Sequence, residues 1–348
     1  MATESMERVG TRVLGEQARR GVRYWAPPLV GAAIYPELLD LFSRAIDSYR
    51  ADGNLIHAAD AALLLLLAGS VTLLAARALI RMRQDGAGRV RLRGLLYLMF
   101  SVPPLLILFG EVAWLIGVKG PAVVAIWTVG WIVAAVALYF RSEDAPPERQ
   151  SVAVVWLRVV HGAVALCLLC GFLLPHLLNH DTALWSVKLH GQVMEWLRHW
   201  YRSGWVEPGL FVLLAVMIAT GFPLVASHSR QRADSFRILQ MATGVYLGLF
   251  ICAHTFAVLA ARRGGIETDW YFGVGPHGLL DGRGSLIAYY IYSACFLILH
   301  AGFGLRVVLL KHGTRELVAN RSVYAVAAVG FVITTLLTVA AFGFHLRN

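Results

Sequence analysis

The sequence predicts an all-α fold, a polytopic transmembrane bundle of about nine helices. Three observations predict it. Of the 348 residues, 58% are hydrophobic and only 15% are charged, which an ordinary soluble domain does not show. Apolar segments about as long as a bilayer's hydrocarbon core recur along the chain. Arginine-rich loops alternate with loops poorer in net basic charge, as expected when positive loops stay inside.

The apolar segments are expected as helices near residues 24–43, 58–80, 94–118, 121–140, 152–177, 206–227, 237–262, 285–310 and 322–345. The first contains three prolines together with Glu37 and Asp40, so it could lie in the membrane interface instead of crossing. If it crosses, the basic N-terminus is inside and the C-terminus outside. The N-terminus is long, polar and basic, unlike a cleavable signal peptide.

The linker SEDAPPERQ at 142–150 divides the chain into an N-terminal four-helix membrane region, 1–150, and a five-helix membrane domain, 151–348. Between two of the later spans, VKLHGQVMEWLRHW has apolar residues at helical spacing and predicts an amphipathic helix on the outer interface. His190 and His199 are expected at its surface. The four cysteines lie in apolar segments and are expected as small packed residues rather than metal ligands.

The net charge of +10 lies in the loops, so we expect lipid and not nucleic acid as the surrounding partner.

Four histidines lie within or at the ends of apolar segments: His161, His176, His254 and His300. An ionisable group in a bilayer is costly and therefore indicates function. Imidazoles in a helix bundle are common axial ligands of haem iron.

The segments TGVYLGLFICAHTF and LHAGFGLRVVLLKHG carry a family resemblance. Residues 152–312 resemble the cytochrome b membrane anchor of succinate dehydrogenase and fumarate reductase. The resemblance implies one or two b haems and electron transfer between a partner redox chain and the quinone pool. It also implies a soluble redox subunit on the cytoplasmic side and a location in the bacterial inner membrane. Neither a nucleotide-binding loop nor a hydrolase or zinc-protease motif is present, so we expect a non-catalytic electron-transfer subunit.

Carried onto this sequence, the resemblance implies that His254 and His300 are haem and metal ligands. The first helix pair departs from the family pattern, because Phe172, not a histidine, stands ten residues after Gly162, and Met217 occupies the position equivalent to His300. A weak repeat underlies this comparison, with His161-Gly162 matched to Thr243-Gly244. The expected pairs are therefore His176 with His254 in the outer half of the membrane, and His300 with Met217 or an unidentified group in the inner half. The alternative is that one or both haem sites have been lost.

Further residues have two interpretations each. Arg306 could bind a haem propionate or be an interfacial arginine. Gly244, Gly248 and Gly304 could accommodate a macrocycle or serve close helix contacts. A quinone pocket could be formed by Trp156, Arg158 and His161, although interface anchoring explains the same residues.

Glu111, at mid-depth, could be a proton relay or could bond a neighbouring helix. For the whole chain, a haem-free membrane scaffold or adaptor is the alternative function, and secondary transport a weaker third.

Overall fold

The all-α prediction is confirmed by a computed structural model that describes residues 22, 24–84, 90–140, 152–229, 231, 233–281 and 283–347. Strands are absent from these residues. The N-terminal helices are α1 (24–33), α2 (Tyr35–Asp52), α3 (Leu55–Gln84), α4 (Val90–Phe100), α5 (Val102–Leu115) and α6 (Pro121–Phe140). The later helices are α7 (Val152–Leu168), a π turn (Leu169–Leu173), α8 (Leu174–Thr182), α9 (Val187–Tyr201), α10 (Val206–Ser229), α11 (Ser235–Arg263), α12 (Trp270–Val274), α13 (Gly284–Lys311) and α14 (Glu316–Ala341).

Six helical segments within the described residues are long and apolar enough to cross a membrane. They are Leu55–Met82, Val154–Thr182, Val206–Ser229, Ser235–Arg263, Gly284–Lys311 and Glu316–Ala341. The chain is therefore a multi-pass membrane protein. The total of nine crossings stays a prediction.

Helices α4 and α5 form a pair bent by 84°, which makes a seventh candidate span if the two cross together. Pro103 and Pro104 begin α5, and proline cannot donate the backbone hydrogen bond that a continuous helix needs. The 24–43 segment is interrupted at Ile34 and is not one of the candidate spans, while the apolar part of α6 is shorter than they are.

The N-terminal helices share a hydrophobic core with the later helices. The ring of Phe100 on α4 stacks on Phe296 of α13 at 4.9 Å and meets Tyr246 of α11 edge-on at 6.2 Å. The Tyr292 hydroxyl donates to the Gly69 carbonyl of α3 at 2.9 Å. The linker 142–150 lies outside the described residues, but the described helices on both sides of it pack as one body.

One end of the bundle is covered by α9 and by residues 342–347, the C-terminal tail. We call it the outer end, because the loop charges predict that it faces outside. Helix α9 is amphipathic as predicted: Trp196 is 64% exposed, while Leu197 is buried. His190 was expected at its surface but is only 1% exposed, because it lies on the inward face. The backbone N–H groups of Leu346 and Arg347 donate to the carbonyls of Leu184 and Trp185 at 2.8 Å each, which ties the tail to the α8–α9 turn.

Candidate functional site

The four membrane histidines lie in two pairs at different levels of the bundle formed by α7–α8, α10, α11 and α13. We call His161 and His300 the inner pair, and His176 and His254 the outer pair. All four rings are half-buried, so part of each remains accessible to a ligand. Ten residues of α11 separate Gly244, beside His300, from His254, which corresponds to about 15 Å along the helix axis.

The ring of His300 is oriented by hydrogen bonds through one nitrogen only. Its Nδ1 lies 3.0 Å from the carbonyl oxygen of Gln240 and 3.2 Å from the hydroxyl oxygen of Thr243. That hydroxyl donates to the Leu239 carbonyl at 2.8 Å, so Nδ1 carries the proton and acts as the donor. The remaining nitrogen, Nε2, therefore keeps the lone pair that a metal requires.

The ring of His161 is held in the same way on the opposite side. Its Nδ1 lies 2.9 Å from the hydroxyl oxygen of Thr220, and that hydroxyl donates to the Val216 carbonyl at 2.7 Å. Nδ1 of His161 is again the donor, and its Nε2 keeps a lone pair. His161 lies close enough to His300 to act on it electrostatically.

Each ring of the inner pair also lies over a glycine of the neighbouring helix. A Cβ atom at Gly244 would stand 3.0 Å from Cε1 of His300, and one at Gly221 would stand 3.3 Å from Cε1 of His161. The triplet Ala-Thr-Gly occurs at both places, 219–221 and 242–244. Sequence reasoning missed this correspondence because it matched Thr243-Gly244 with His161-Gly162, and the repeated triplet was the signal available.

The outer pair brings His176 and His254 together, as the sequence analysis expected. Their ring centroids lie 6.2 Å apart. Each ring stacks on the phenylalanine four residues earlier, with centroid distances of 5.1 Å for Phe172 and 5.3 Å for Phe250. The π turn, which contains Phe172, ends three residues before His176, and such turns are frequent at functional sites.

A chain of imidazoles leads from the outer pair toward the outer surface. Nε2 of His176 lies 3.3 Å from Nε2 of His180, and Nδ1 of His180 lies 3.3 Å from Nε2 of His190. Burial, together with the nearby Arg198 and against the opposing effect of Asp269, lowers the pKa of His190 to about 4. The His190 ring is therefore neutral at pH 7.

Arg306 already has partners for its charge. It forms an ion pair with Asp234 at 2.8 Å, binds the amide oxygen of Asn320 at 2.7 Å and lies 4.5 Å above the Phe236 ring. Six residues of helix separate it from His300, or about 240° of rotation, so the two point in different directions. Arg237 is the cation that acts electrostatically on both rings of the inner pair.

Among the other predicted residues, Met217 has a backbone carbonyl that accepts a hydrogen bond from His161 and lies 3.3 Å from the Thr220 hydroxyl. A Cβ at Gly248 would meet the Phe222 ring at 3.1 Å, so this glycine serves helix contact. A Cβ at Gly304 would lie 3.8 Å from the Gln240 side chain, an ordinary contact.

Two of the three predicted quinone residues, Arg158 and His161, interact electrostatically with Arg237 of α11. Trp156, the third residue, is 66% exposed on the outside of α7. His161 points inward to Thr220.

In the part of the chain that the structure describes, no group of three or more His, Cys, Asp or Glu side chains is arranged to hold a metal ion. A centre that takes only two protein ligands, as haem does, is the kind that these pairs can serve. Comparison with protein-family models, curated proteins and solved structures gives no match for this chain.

Proposed function

We propose that this protein is a membrane-embedded b-type cytochrome subunit that transfers electrons across or within the bilayer. The observation that carries the proposal is the arrangement of four histidines as two pairs, each joining α7–α8 to α11 or α13, at two depths. Exchange of electrons with quinone and with a soluble redox subunit belongs to the same proposal and is supported by the family resemblance alone.

The inner pair fits haem by its donor set. Both Nδ1 atoms are engaged as donors, which fixes the tautomer and leaves Nε2 for a metal, as in most protein metal sites. Gly221 and Gly244 supply the space beside the two rings, since a Cβ at either place would crowd them. We assign His161, rather than Met217, as the partner of His300.

The outer pair fits haem by the distance between its two imidazole rings. Two metal–nitrogen bonds of about 2 Å, each ending in an imidazole, put the two ring centroids roughly 6 Å apart. The observed 6.2 Å agrees with that span. His176 would have to exchange its contact with His180 for a metal bond, so we expect the outer site to bind haem more weakly than the inner one.

When bound, haem supplies a centre that gains and loses one electron. The residues of the chain orient it and adjust its surroundings. His161 and His300 would hold a haem at the inner level, and the positive charge of Arg237 beside them would stabilise its reduced form. Phe172 and Phe250 stack on the outer ligands and exclude water from them.

A haem-free scaffold is the second candidate, and one observation favours it. The rings of His161, His176 and His300 each have a polar partner within the protein, so no metal is needed to satisfy them.

An absorption spectrum of the purified protein, oxidised and dithionite-reduced, separates the two functions. We expect a Soret band with two spectral components, one for each histidine pair. His161→Ala and His300→Ala should both remove the component of the inner pair. His176→Ala and His254→Ala should both remove the component of the outer pair. His199→Ala, at an exposed position on α9, is the control. A folded protein without a Soret band after haem supplementation would overturn the cytochrome proposal and favour the scaffold.

A further inference from the structure

Helix α11 holds the ring of His300 in a small notch that one turn of the helix provides. The carbonyl oxygen of Gln240 lies 3.0 Å from Nδ1 of the ring, and the hydroxyl oxygen of Thr243 lies 3.2 Å from it. Gly244 follows, and because it has no side chain it leaves room for Cε1, which would stand 3.0 Å from a Cβ there. We call this combination of carbonyl, hydroxyl and glycine an imidazole notch.

Helix α10 repeats the imidazole notch with the same spacing, and there it holds a ring from a different helix. Met217 takes the place of Gln240, and its carbonyl accepts a hydrogen bond from His161 of α7. The hydroxyl oxygen of Thr220 lies 2.9 Å from Nδ1, and a Cβ at Gly221 would stand 3.3 Å from Cε1. The two rings of the inner pair are therefore held through the same kinds of atoms.

In both notches the threonine hydroxyl is fixed by its own helix. The hydroxyl of Thr220 donates to the Val216 carbonyl at 2.7 Å, and that of Thr243 donates to the Leu239 carbonyl at 2.8 Å. This backbone bond selects one side-chain rotamer of threonine, and the oxygen can still accept a second hydrogen bond. The acceptor for each ring therefore has a set position, which determines where Nε2 of the same ring points.

The two hydroxyls differ in how strongly they hold their rings. For His161 the hydroxyl oxygen of Thr220 lies at 2.9 Å, the usual distance of an N–H···O hydrogen bond. For His300 the backbone carbonyl is the closer acceptor, at 3.0 Å, and the hydroxyl oxygen of Thr243 lies at 3.2 Å. Loss of the Thr220 hydroxyl should therefore disturb its ring more than loss of the Thr243 hydroxyl.

We propose that Thr220 and Thr243 are positioning residues of the inner site, which keep the proton of each imidazole on Nδ1 and direct each Nε2 lone pair toward the metal position. Neither hydroxyl binds the metal itself. This inference rests on the proposed function, because the direction of Nε2 matters only when Nε2 binds iron. The tautomer of each ring, in contrast, can be measured without haem.

Nitrogen-15 NMR of haem-depleted protein labelled at histidine tests the tautomers. The resonances of His161 and His300 are assigned by their loss in the alanine variants of these residues, and we expect both rings as the Nδ1–H form. Thr220→Ala should raise the share of the Nε2–H form at His161, since the hydrogen bond at one ring nitrogen decides the tautomer. Thr220→Ser, which differs from Thr220→Ala by the hydroxyl alone, should retain the Nδ1–H form.

Haem binding to the same variants gives the second measurement. Affinity at the inner site should fall about 10- to 100-fold in Thr220→Ala, and less in Thr243→Ala. The midpoint potential of the inner component should rise in Thr220→Ala, because a ligand that loses its Nδ1–H acceptor is less basic and stabilises oxidised iron less. Thr338→Ala is the matched control and should change neither quantity, since the Thr338 hydroxyl makes the same kind of backbone bond, at 2.7 Å, on α14.

An unchanged tautomer of His161 in Thr220→Ala would overturn this inference while the Soret band still supports the proposed function. Equal effects of Thr220→Ala and Thr220→Ser on affinity and potential would overturn it in the same way. If Thr220→Ala does not fold, the comparison of Thr243→Ala with Thr243→Ser gives the same test at His300. Absence of the Soret band from the unaltered protein would overturn both the inference and the proposed function.

Discussion

Replacing Gly244 by alanine should weaken haem binding at the inner pair while leaving the fold intact. The new Cβ would stand 3.0 Å from Cε1 of His300, closer than nearly all Cβ contacts in proteins. The ring cannot move away freely, because its Nδ1 is bonded to the Gln240 carbonyl and the Thr243 hydroxyl. The His300 ring must therefore rotate, and its Nε2 lone pair would no longer point toward the proposed metal position.

In the haem-free protein, two effects of the substitution on the free energy of unfolding oppose each other, whereas only a loss is expected for haem affinity. Alanine is favoured over glycine in a helix by about 1 kcal/mol, and weakening one hydrogen bond costs about 1 kcal/mol, so the free energy of unfolding should change little. Loss of the bond that orients a metal-binding histidine typically lowers affinity by about 10- to 100-fold. Haem affinity at the inner pair should fall by that factor, or about 1.4–2.7 kcal/mol.

The assay is titration of haem-depleted protein with limiting haem, read at the Soret band, beside a thermal melt in the same detergent. Gly162→Ala is the matched control, because a Cβ at this helical position would meet nothing within 4 Å. It should leave haem affinity unchanged. Equal haem affinity in Gly244→Ala and the unaltered protein would refute the assignment of His300 as an inner ligand oriented from Gln240 and Thr243.

Three further predictions concern the free energy of unfolding, and they test contacts at the outer end of the bundle and in the core shared with the N-terminal helices. Because burial lowers the pKa of His190 to about 4, its unfolded form binds a proton that the folded form does not between about pH 6.5 and pH 4. The free energy of unfolding should fall as the pH falls through that window, and His190→Gln should flatten the dependence seen in melts at fixed pH. Gly278→Ala should lower the free energy of unfolding by roughly 2 kcal/mol or more, because the backbone has φ +85° and the new Cβ would lie 2.7 Å from the Phe342 carbonyl carbon. Gly53→Ala, at φ +67° in open space, should cost only about 1 kcal/mol when both variants are compared by chemical denaturation. Tyr292→Phe should cost about 1 kcal/mol in the same measurement, through loss of its bond to the α3 carbonyl, and an unchanged midpoint would contradict that bond.

The membrane helices could be predicted from the sequence because the length and apolar content of a crossing segment are dictated locally by the bilayer. The pairing of His176 with His254 was also within reach, since helix direction and rise fix the depth of each residue. The bend between α4 and α5 was visible only as two prolines, and how far the chain turns there depends on what packs around it.

The pairing of His161 with His300 could not be obtained from depth alone. It depends on which helix faces each ring, and both rings lie over an Ala-Thr-Gly triplet on a different helix. His190 was placed at the surface by its helical spacing. The structure buries it because α12 and the tail cover that face, an arrangement that involves residues distant in sequence.

The core that α4 shares with α11 and α13 has a consequence for assembly. The faces of Tyr246 and Phe296 that would lie open on an isolated five-helix anchor are filled here by Phe100 of the same chain. A fragment beginning at residue 151 would expose these rings to lipid and would lose the packing contacts that Phe100 makes with them. The N-terminal helices thus cover a face of α11 and α13 that lipid would otherwise contact. The protein therefore provides its own lateral neighbour at this face, and a partner that binds laterally would have to use another face of the bundle.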